Sequence, residues 1–470
     1  MGSFLVEGLS RVKGKINLAG DKSIAHRSVI LSALSKGKTT IQNFPANADC
    51  ISTINAFKKL GIKITGKLKL GVSGTVSVFG KGLWGLNKPK SPIFVADSGT
   101  TLRLLLGVLA GCDFKVKLIG GKSLSKRPML RVTVPLRLMG ARIRSQGQCA
   151  SLPEGDKVSA QASPKGTMSQ GKKEEYPPIT IEGGNLKAIT YRMPVASAQV
   201  KSAILLAGLY TDGTTKIIEP VKTRDHTERM LKLFRANIKV KGDKILIKGD
   251  RRLVSPQRIY IPGDISSASF FMVAASILPD SEILMRNVNL NPSRMGIVKV
   301  LKRMGADIKI TMSPGHQATG AEPMGDILVR SSGLKATIVK KEEIPSLIDE
   351  LPVLMVAACC ARGKNIFEAV GELRVKETDR INSMVNNLRK MGADIQVTKS
   401  PGHQVTSKEH IVVKGKAELR GARVKSYGDH RTAMSMVVAA LGAGGQTIID
   451  DVSCINKSFP GFLATLNNLI

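Results

Sequence analysis

The sequence predicts an α+β protein of two domains, each assembled from three like units. Three observations carry this expectation. A chain of 470 residues is longer than one hydrophobic core usually organises. The segment Met304-Gly305-Ala306-Asp307-Ile308 returns as Met391-Gly392-Ala393-Asp394-Ile395. Weaker copies stand at Leu60-Gly61-Ile62, Met139-Gly140-Ala141-Arg142-Ile143 and Phe234-Arg235-Ala236-Asn237-Ile238. Finally, an almost wholly apolar helical run occurs six times, over residues 28–37, 101–111, 200–213, 266–279, 351–363 and 432–445.

A helix that is apolar on every side has no face for water, so the six runs read as buried helices. Each opens on polar residues. These are Lys22-Ser23, then Asp97-Ser98-Gly99-Thr100-Thr101, then Ser197-Ala198-Gln199, then Asp264-Ile265-Ser266-Ser267, then Asp349-Glu350, and last Asp429-His430-Arg431. Ser, Thr and Asp at such places serve as N-caps for the first unpaired backbone N–H groups. Short β-branched strands follow most of the runs: TTIQNF, TTKIIEP, SEILMRNV, KNIFEAV and QTIIDDV. An amphipathic helix comes next and ends in the repeated Met-Gly-Ala motif. Its glycine or small residue suits a helix C-cap, and the following Ile opens a strand. The units recur every roughly 70–95 residues, longer than solenoid periods of about 20–50, so two globular domains are expected rather than an open array. The stretch from Gln146 to Pro178 departs from this pattern. Rich in Ser, Gly, Lys and Glu, it reads as an exposed loop or extended hairpin.

Composition narrows the function classes. The six cysteines (Cys50, Cys112, Cys149, Cys359, Cys360 and Cys454) include no C-x-x-C pair, which fits a reducing compartment and a cytoplasmic protein. The polar start MGSFLVEGLS does not read as a signal peptide, and no apolar run reaches about eighteen residues, so neither secretion nor a membrane partner is expected. The histidines show no ligand-spaced pairs, and no phosphate-loop or dinucleotide glycine pattern is present, so no metal and no cofactor is expected. A net charge of +35 is high. It fits small anionic substrates or a polyanion, over a background of solvated lysines such as Lys58, Lys59, Lys172, Lys173, Lys340 and Lys341. With no aromatic-interleaved basic stripe, a nucleic-acid partner is not expected.

The chemistry concentrates at the helix starts. Lys22, Arg27, Lys201 and Arg431 place cations beside the positive end of a helix dipole, which is unfavourable by a few tenths to about 1 kcal/mol unless an anion lies between. In Glu372-Leu373-Arg374-Val375-Lys376-Glu377-Thr378-Asp379-Arg380, cations surround Glu377 and Asp379. Such a carboxylate can carry protons while the cations hold substrate. Asp349, where an apolar helix begins, is a second candidate base. Together these residues describe an anion clamp gathered from distant parts of one chain.

The motifs GDKSIAHR, DSGTTLRLL, SLSKRPM, SAQVKS, TRDHTERML, GDISSAS, ELRVKETDRI and YGDHRTAM, in this order from Lys22 to Lys457, resemble the 5-enolpyruvylshikimate-3-phosphate synthase family. TRDHTE, ELRVKE and Ala198 resemble its second class. The resemblance implies the enolpyruvyl transferase fold, an inside-out α/β barrel of two similar domains with three βαβαββ units each. One domain would span residues 21–261, the other 1–20 plus 262–470, with the active site in the cleft between them. It implies transfer of the enolpyruvyl group of phosphoenolpyruvate to the 5-hydroxyl of shikimate 3-phosphate, a step of aromatic amino acid biosynthesis, by a monomer. Lys22, Asp349 and Glu377 match the catalytic residues. Lys22, Gly99, Arg127, Gln199, Arg380, Arg431 and Lys457 match the phosphoenolpyruvate site. Ser23, Arg27, Ser197, Ala198, Gln199, Arg224, Asp349 and Lys376 match the shikimate 3-phosphate site. The inhibitor glyphosate would occupy the phosphoenolpyruvate pocket, close to Gly99. Asp97 and Glu372 stand where other members carry Asn. UDP-N-acetylglucosamine enolpyruvyl transferase shares the fold but carries a reactive Cys in the loop that here reads Gly120-Gly121-Lys122-Ser123-Leu124-Ser125-Lys126-Arg127. A basic RNA-binding protein is the alternative from another class.

Overall fold

The computed structural model describes residues 3–9, 11–145, 174–249, 252–313, 322–399, 409–415 and 418–470. Its α-helices, in order, are α1 (Lys22–Leu34), α2 (Ala48–Lys59), α3 (Gly99–Leu109), α4 (Leu130–Leu138), α5 (Ala198–Gly208), α6 (His226–Leu233), α7 (Ile265–Ile277), α8 (Gly296–Arg303), α9 (Leu351–Cys360), α10 (Arg380–Lys390), α11 (His430–Leu441) and α12 (Phe462–Asn467). The odd-numbered helices are the six apolar runs. In α7 every residue from Ile265 to Ser276 is buried, and α11 is buried from end to end. The even-numbered helices alternate buried and exposed positions.

Strands frame each helix pair in a constant order. Ile93–Phe94 precedes α3, Lys115–Ile119 follows it, and Arg142–Ser145 and Ile179–Glu182 follow α4. In space they lie first, second, fourth, third, with the first pair parallel and the others antiparallel. The sheets around α5 and α6 and around α9 and α10 repeat this order. Two further units exchange their first strands. Lys13–Asn17 precedes α1 yet pairs in parallel with Glu282–Asn289, which follows α7. Arg258–Tyr260 precedes α7 yet pairs in parallel with Lys36–Phe44, which follows α1. The chain therefore crosses between the two groups of sheets just before α1 and just before α7, where Gly20 bridges Gly263. The last unit borrows too: Phe4–Glu7 pairs antiparallel with Gln446–Ile449.

The core follows this topology. One hydrophobic cluster runs from Ile24 to Ile261. A second joins Val6, Val12, Ile16 and Leu18 to residues from Ile265 to Leu469. Within the first, α3 packs on α5 so closely that a Cβ on Gly107 would strike the Ala203 backbone. Within the second, α7, α9 and α11 pack on one another. The repeated Met-Gly-Ala motif ends the amphipathic helices as expected. Gly305 and Gly392 turn out at φ +92° and +91°, and Arg235 takes the same left-handed place at φ +59° in the copy that lacks Gly.

Two expectations change on contact with the structure. Most of the Gln146–Pro178 stretch lies outside the described residues, but its end is not an exposed loop. Glu175 is 1% exposed, pairs with Arg137 at 2.8 Å and accepts a bond from Thr133 Oγ1 at 2.6 Å. The lysine excess, expected on loops and helix faces, also lines the outer faces of sheets. Exposed Lys36, Lys38, Lys63 and Lys81 share one sheet, and Lys239, Lys241, Lys244 and Lys248 another. Among the described residues no helix is long and apolar enough to cross a membrane.

Candidate active site

The starts of α1, α3, α5, α9, α10 and α11, with the segments just before them, bring cations and carboxylates from both hydrophobic bodies into one cluster. Local sequence explains their placement. Asp21 caps α1 through Ile24 N at 3.1 Å, so Lys22 and Ser23 fall on its first turn. Ser98 caps α3, Ser197 caps α5, Asp379 caps α10 and Asp429 caps α11. The caps satisfy the helix N–H groups, and the residues beside them face across the interface.

Arg380, 1% exposed, is the hub. Its Nε meets Asp429 at 2.8 Å, its Nη2 Glu377 at 2.5 Å and its Nη1 Asp349 at 3.4 Å. From the other body, Arg224 reaches Asp349 at 2.6 Å and Arg127 reaches Glu377 at 3.3 Å. Arg431 Nη1 donates to the Asp349 carbonyl at 2.8 Å. Lys457 lies 3.6 Å from Asp97. Burial alone would raise the two carboxyls. For Asp349 the cations Arg224, Arg431, Lys376 and Arg380 outweigh it and hold the group well below the usual carboxylate range. For Glu377, Arg380 and Arg127 do the same. Lys376 moves the other way. Burial brings its ammonium down to about 8, only partly opposed by Asp349 and reinforced by Arg380.

Lys22 is tied to Asp49 of α2 at 3.0 Å. Burial and Arg431 act to lower its ammonium, but Asp49 prevails and the net shift is upward. Gln199 is oriented on both sides: its Oε1 accepts from Arg103 Nη1 at 2.5 Å and its Nε2 donates to Thr100 Oγ1 at 2.9 Å. Arg27 is buried, with Thr227, Ser202 and the Ser23 carbonyl at 2.6–2.8 Å around its guanidinium. Ser23 and Ala198 are half-buried at their helix starts. Gly99 abuts Arg127: a Cβ there would lie 2.7 Å from Nη1.

Of the residues singled out for the clamp, Lys22, Arg127, Asp349, Lys376, Glu377, Arg380 and Arg431 lie together in this cluster. Two neighbours in the sequence do not. Lys201, placed with the clamp because it is a cation near a helix start, is fully buried between Glu219 and Glu228 at 3.1 and 2.6 Å. Its anion is internal, because α5 has already turned away from the interface at that position. Arg374 pairs with Asp379 and Glu409, each at 2.6 Å, and serves as a brace. The residue that sequence reasoning passed over is Asp49, the partner of Lys22; Arg103, one turn into α3, is the partner of Gln199. Asp49 sits in the first turn of an ordinary amphipathic helix, and nothing in the spacing points it at Lys22. Asp97 accepts from Ser123 N and Leu124 N at 3.0 and 3.1 Å and so shapes the loop that presents Arg127.

The sequence pattern of EPSP synthase (3-phosphoshikimate 1-carboxyvinyltransferase) matches residues 6–169 and 163–466. A 3-phosphoshikimate 1-carboxyvinyltransferase of Desulforamulus reducens is 42% identical over 466 residues, covering 99% of either chain. One of Geobacillus kaustophilus is 44% identical over 468 residues, covering 99% of this chain and all of the other. The chain belongs to the EPSP synthase family. The solved EPSP synthase of Acinetobacter baumannii superposes with a TM-score of 0.80 at 37% identity, over 100% of this chain and 98% of the other. The enolpyruvyl transferase NikO of Streptomyces tendae shares the fold, with a TM-score of 0.72 at 15% identity over 99% of this chain and 97% of that one. In this chain the loop preceding Arg127, Gly120-Gly121-Lys122-Ser123-Leu124-Ser125-Lys126, has no thiol. Cys112, at the end of α3, is buried, and burial pushes it up to about 12, which leaves it unreactive.

Proposed function

We propose that this EPSP synthase joins phosphoenolpyruvate to the 5-hydroxyl of shikimate 3-phosphate in the cleft between residues 21–261 and residues 1–20 plus 262–470, releasing phosphate. The observation that carries the reading is the set of charge pairs crossing that cleft, Arg224–Asp349 and Arg127–Glu377. Both substrates are multiply charged anions. In a water-poor site their oxygens compete for Arg127, Arg380 and Arg431, and fixed cations there stabilise developing negative charge without reorganising.

The division of labour follows from the pairings. Asp349 sits against Arg224 and Lys376, which match the shikimate-phosphate side, and remains ionised. It takes the proton from the attacking 5-hydroxyl. Glu377 sits against Arg127 and Arg380, which match the phosphoenolpyruvate side. When substrate oxygens draw these guanidinia away, the Glu377 carboxyl rises and accepts a proton. That proton goes to the methylene carbon as the hydroxyl adds to the central carbon. In the elimination half Glu377 takes a proton back from the methyl group, the double bond reforms and the carbon–oxygen bond to phosphate breaks, and the departing phosphate takes up the hydroxyl proton held by Asp349. Lys22, kept charged by Asp49, stabilises the departing phosphate. The substrates' charges are met by side chains throughout, so phosphate release is expected to require both substrates and to survive EDTA. Activity lost on chelation and restored by a divalent ion would contradict this.

Two further outcomes follow. Lys376 loses its proton at about 8, so above that pH the free enzyme offers shikimate 3-phosphate one charge less. The pH profile of kcat/KM for this substrate is expected to fall with an apparent pKa near 8. A flat profile to pH 10 in the parent would remove Lys376 from the site. Gly99→Ala places a methyl 2.7 Å from Arg127 Nη1, and the guanidinium must retreat. Small-to-large changes in packed sites cost about 1–3 kcal/mol. Glyphosate is expected to compete with phosphoenolpyruvate and to inhibit this variant more weakly than the parent. Equal inhibition constants would show that Gly99 does not border the pocket.

A further inference from the structure

Arg294 is a buried arginine that no part of the transfer reaction uses, and it lies where both chain crossings meet. It stands at the end of a short 3-10 turn, Pro292–Arg294, and is 1% exposed. Its Nη1 meets Asp21 Oδ2 at 3.0 Å and lies 3.3 Å from His226 Nε2. Its Nη2 donates to Ser266 Oγ at 2.5 Å and lies 3.5 Å from Asp264 Oδ1 and 3.6 Å from Glu350 Oε1. Ser266 in turn donates to Glu350.

The partners are not arbitrary acids. Asp21 caps α1, the helix that opens with Lys22. Asp264 caps α7 through Ser266 N at 2.8 Å, and its other oxygen accepts from the backbone N–H of Lys22 at 3.3 Å. Glu350 is the residue before α9 and follows Asp349 directly. One planar guanidinium thus joins three helix starts, and two of them carry Lys22, proposed to stabilise the departing phosphate, and the proposed proton carrier Asp349. A guanidinium suits this place because its donors are fixed in a fork, whereas an ammonium is a single point charge.

We propose that Arg294 is a positioning residue for the enolpyruvyl transfer: it sets Lys22 and Asp349 relative to each other by locking the starts of α1, α7 and α9 at the two crossings. The proposal rests on the reading of Lys22 and Asp349 given above. Misplacement of catalytic groups by about 1 Å can cost on the order of 10²-fold in rate, while the other residues matched to substrate binding, none of them a partner of Arg294, stay in place. The signature is therefore a loss in kcat with little change in KM.

The test compares three variants of the full chain with the parent, by steady-state phosphate release and thermal melting. Arg294→Lys keeps the charge but loses the fork. Ser266→Ala removes one acceptor and is mild enough to fold. Val413→Ala, in the strand Glu409–Lys414 and fully buried, is a stability control in an element that holds none of the partners of Arg294. Arg294→Lys is expected to lose about 10- to 100-fold in kcat, and Ser266→Ala several-fold, with KM for both substrates within about threefold of the parent. Val413→Ala is expected to melt earlier with kcat near that of the parent. The proposal is overturned if folded Arg294→Lys or Ser266→Ala keeps the parent kcat, if the loss appears in KM instead, or if Val413→Ala loses kcat to the same degree. Inactivity of the parent itself would instead reject the underlying reading.

Discussion

Glu377→Gln is expected to lower kcat by about 10²-fold or more while the protein remains folded, and Asp349→Ala to do likewise. Each carboxylate is held among cations that match one substrate: Glu377 by Arg380 at 2.5 Å and Arg127 at 3.3 Å, Asp349 by Arg224 at 2.6 Å and Arg380 at 3.4 Å. A glutamine keeps the shape of Glu377 and an acceptor oxygen for Arg380, but it cannot carry a proton. Its effect should therefore fall on kcat, with KM for phosphoenolpyruvate unchanged or lower because a competing anion has gone. Steady-state rates beside melting curves separate the outcomes. Parent-like kcat in both variants would reduce Asp349 and Glu377 to braces of the cation cluster.

The second large effect is on stability. Arg380→Met should destabilise the fold by about 3–5 kcal/mol, because breaking a buried charge cluster leaves its partners uncompensated. Arg380 is 1% exposed and faces Asp429, Glu377 and Asp349 together. Asp429 has no exposed side-chain surface, and it also caps α11, so the loss reaches a helix of the second core. Denaturant unfolding measures the difference. A loss below about 1 kcal/mol, typical of exposed pairs, would mean that water reaches the cluster and that the cleft is less closed than these contacts indicate. Loss of activity should accompany the loss of stability, since the same arginine faces both proposed proton carriers.

Much of this architecture was legible in the sequence. The six apolar runs each became a buried helix, since nothing but burial accommodates a run such as the one from Ile265 to Ile277. The Met-Gly-Ala repeats marked helix ends because φ near +90° at Gly305 and Gly392 suits glycine. The strand exchange was not readable from periodicity. Lys13–Asn17 and Arg258–Tyr260 look like ordinary first strands, and only long-range pairing assigns them to each other's sheets. The site divided in the same way. Lys22, Arg27, Arg380 and Arg431 stood out as cations at expected helix starts, whereas Arg127 came only from the family resemblance. Lys201 carried the same local signal, but its partners Glu219 and Glu228 lie 18 and 27 residues onward, one just past a strand and the other in the first turn of α6. Arg294 left no trace at all: its partners come from positions 21, 226, 264, 266 and 350.

The central claim is that the cationic cleft transfers an enolpyruvyl group between two anions. It is tested most directly by following both substrates and products in one tube by phosphorus and proton NMR. The account predicts that phosphate appears in step with an equal amount of shikimate 3-phosphate carrying a new enolpyruvyl ether at the 5-oxygen, and that neither signal appears when one substrate is left out. Phosphate released from phosphoenolpyruvate alone, or shikimate 3-phosphate recovered unchanged beside free phosphate, would contradict it.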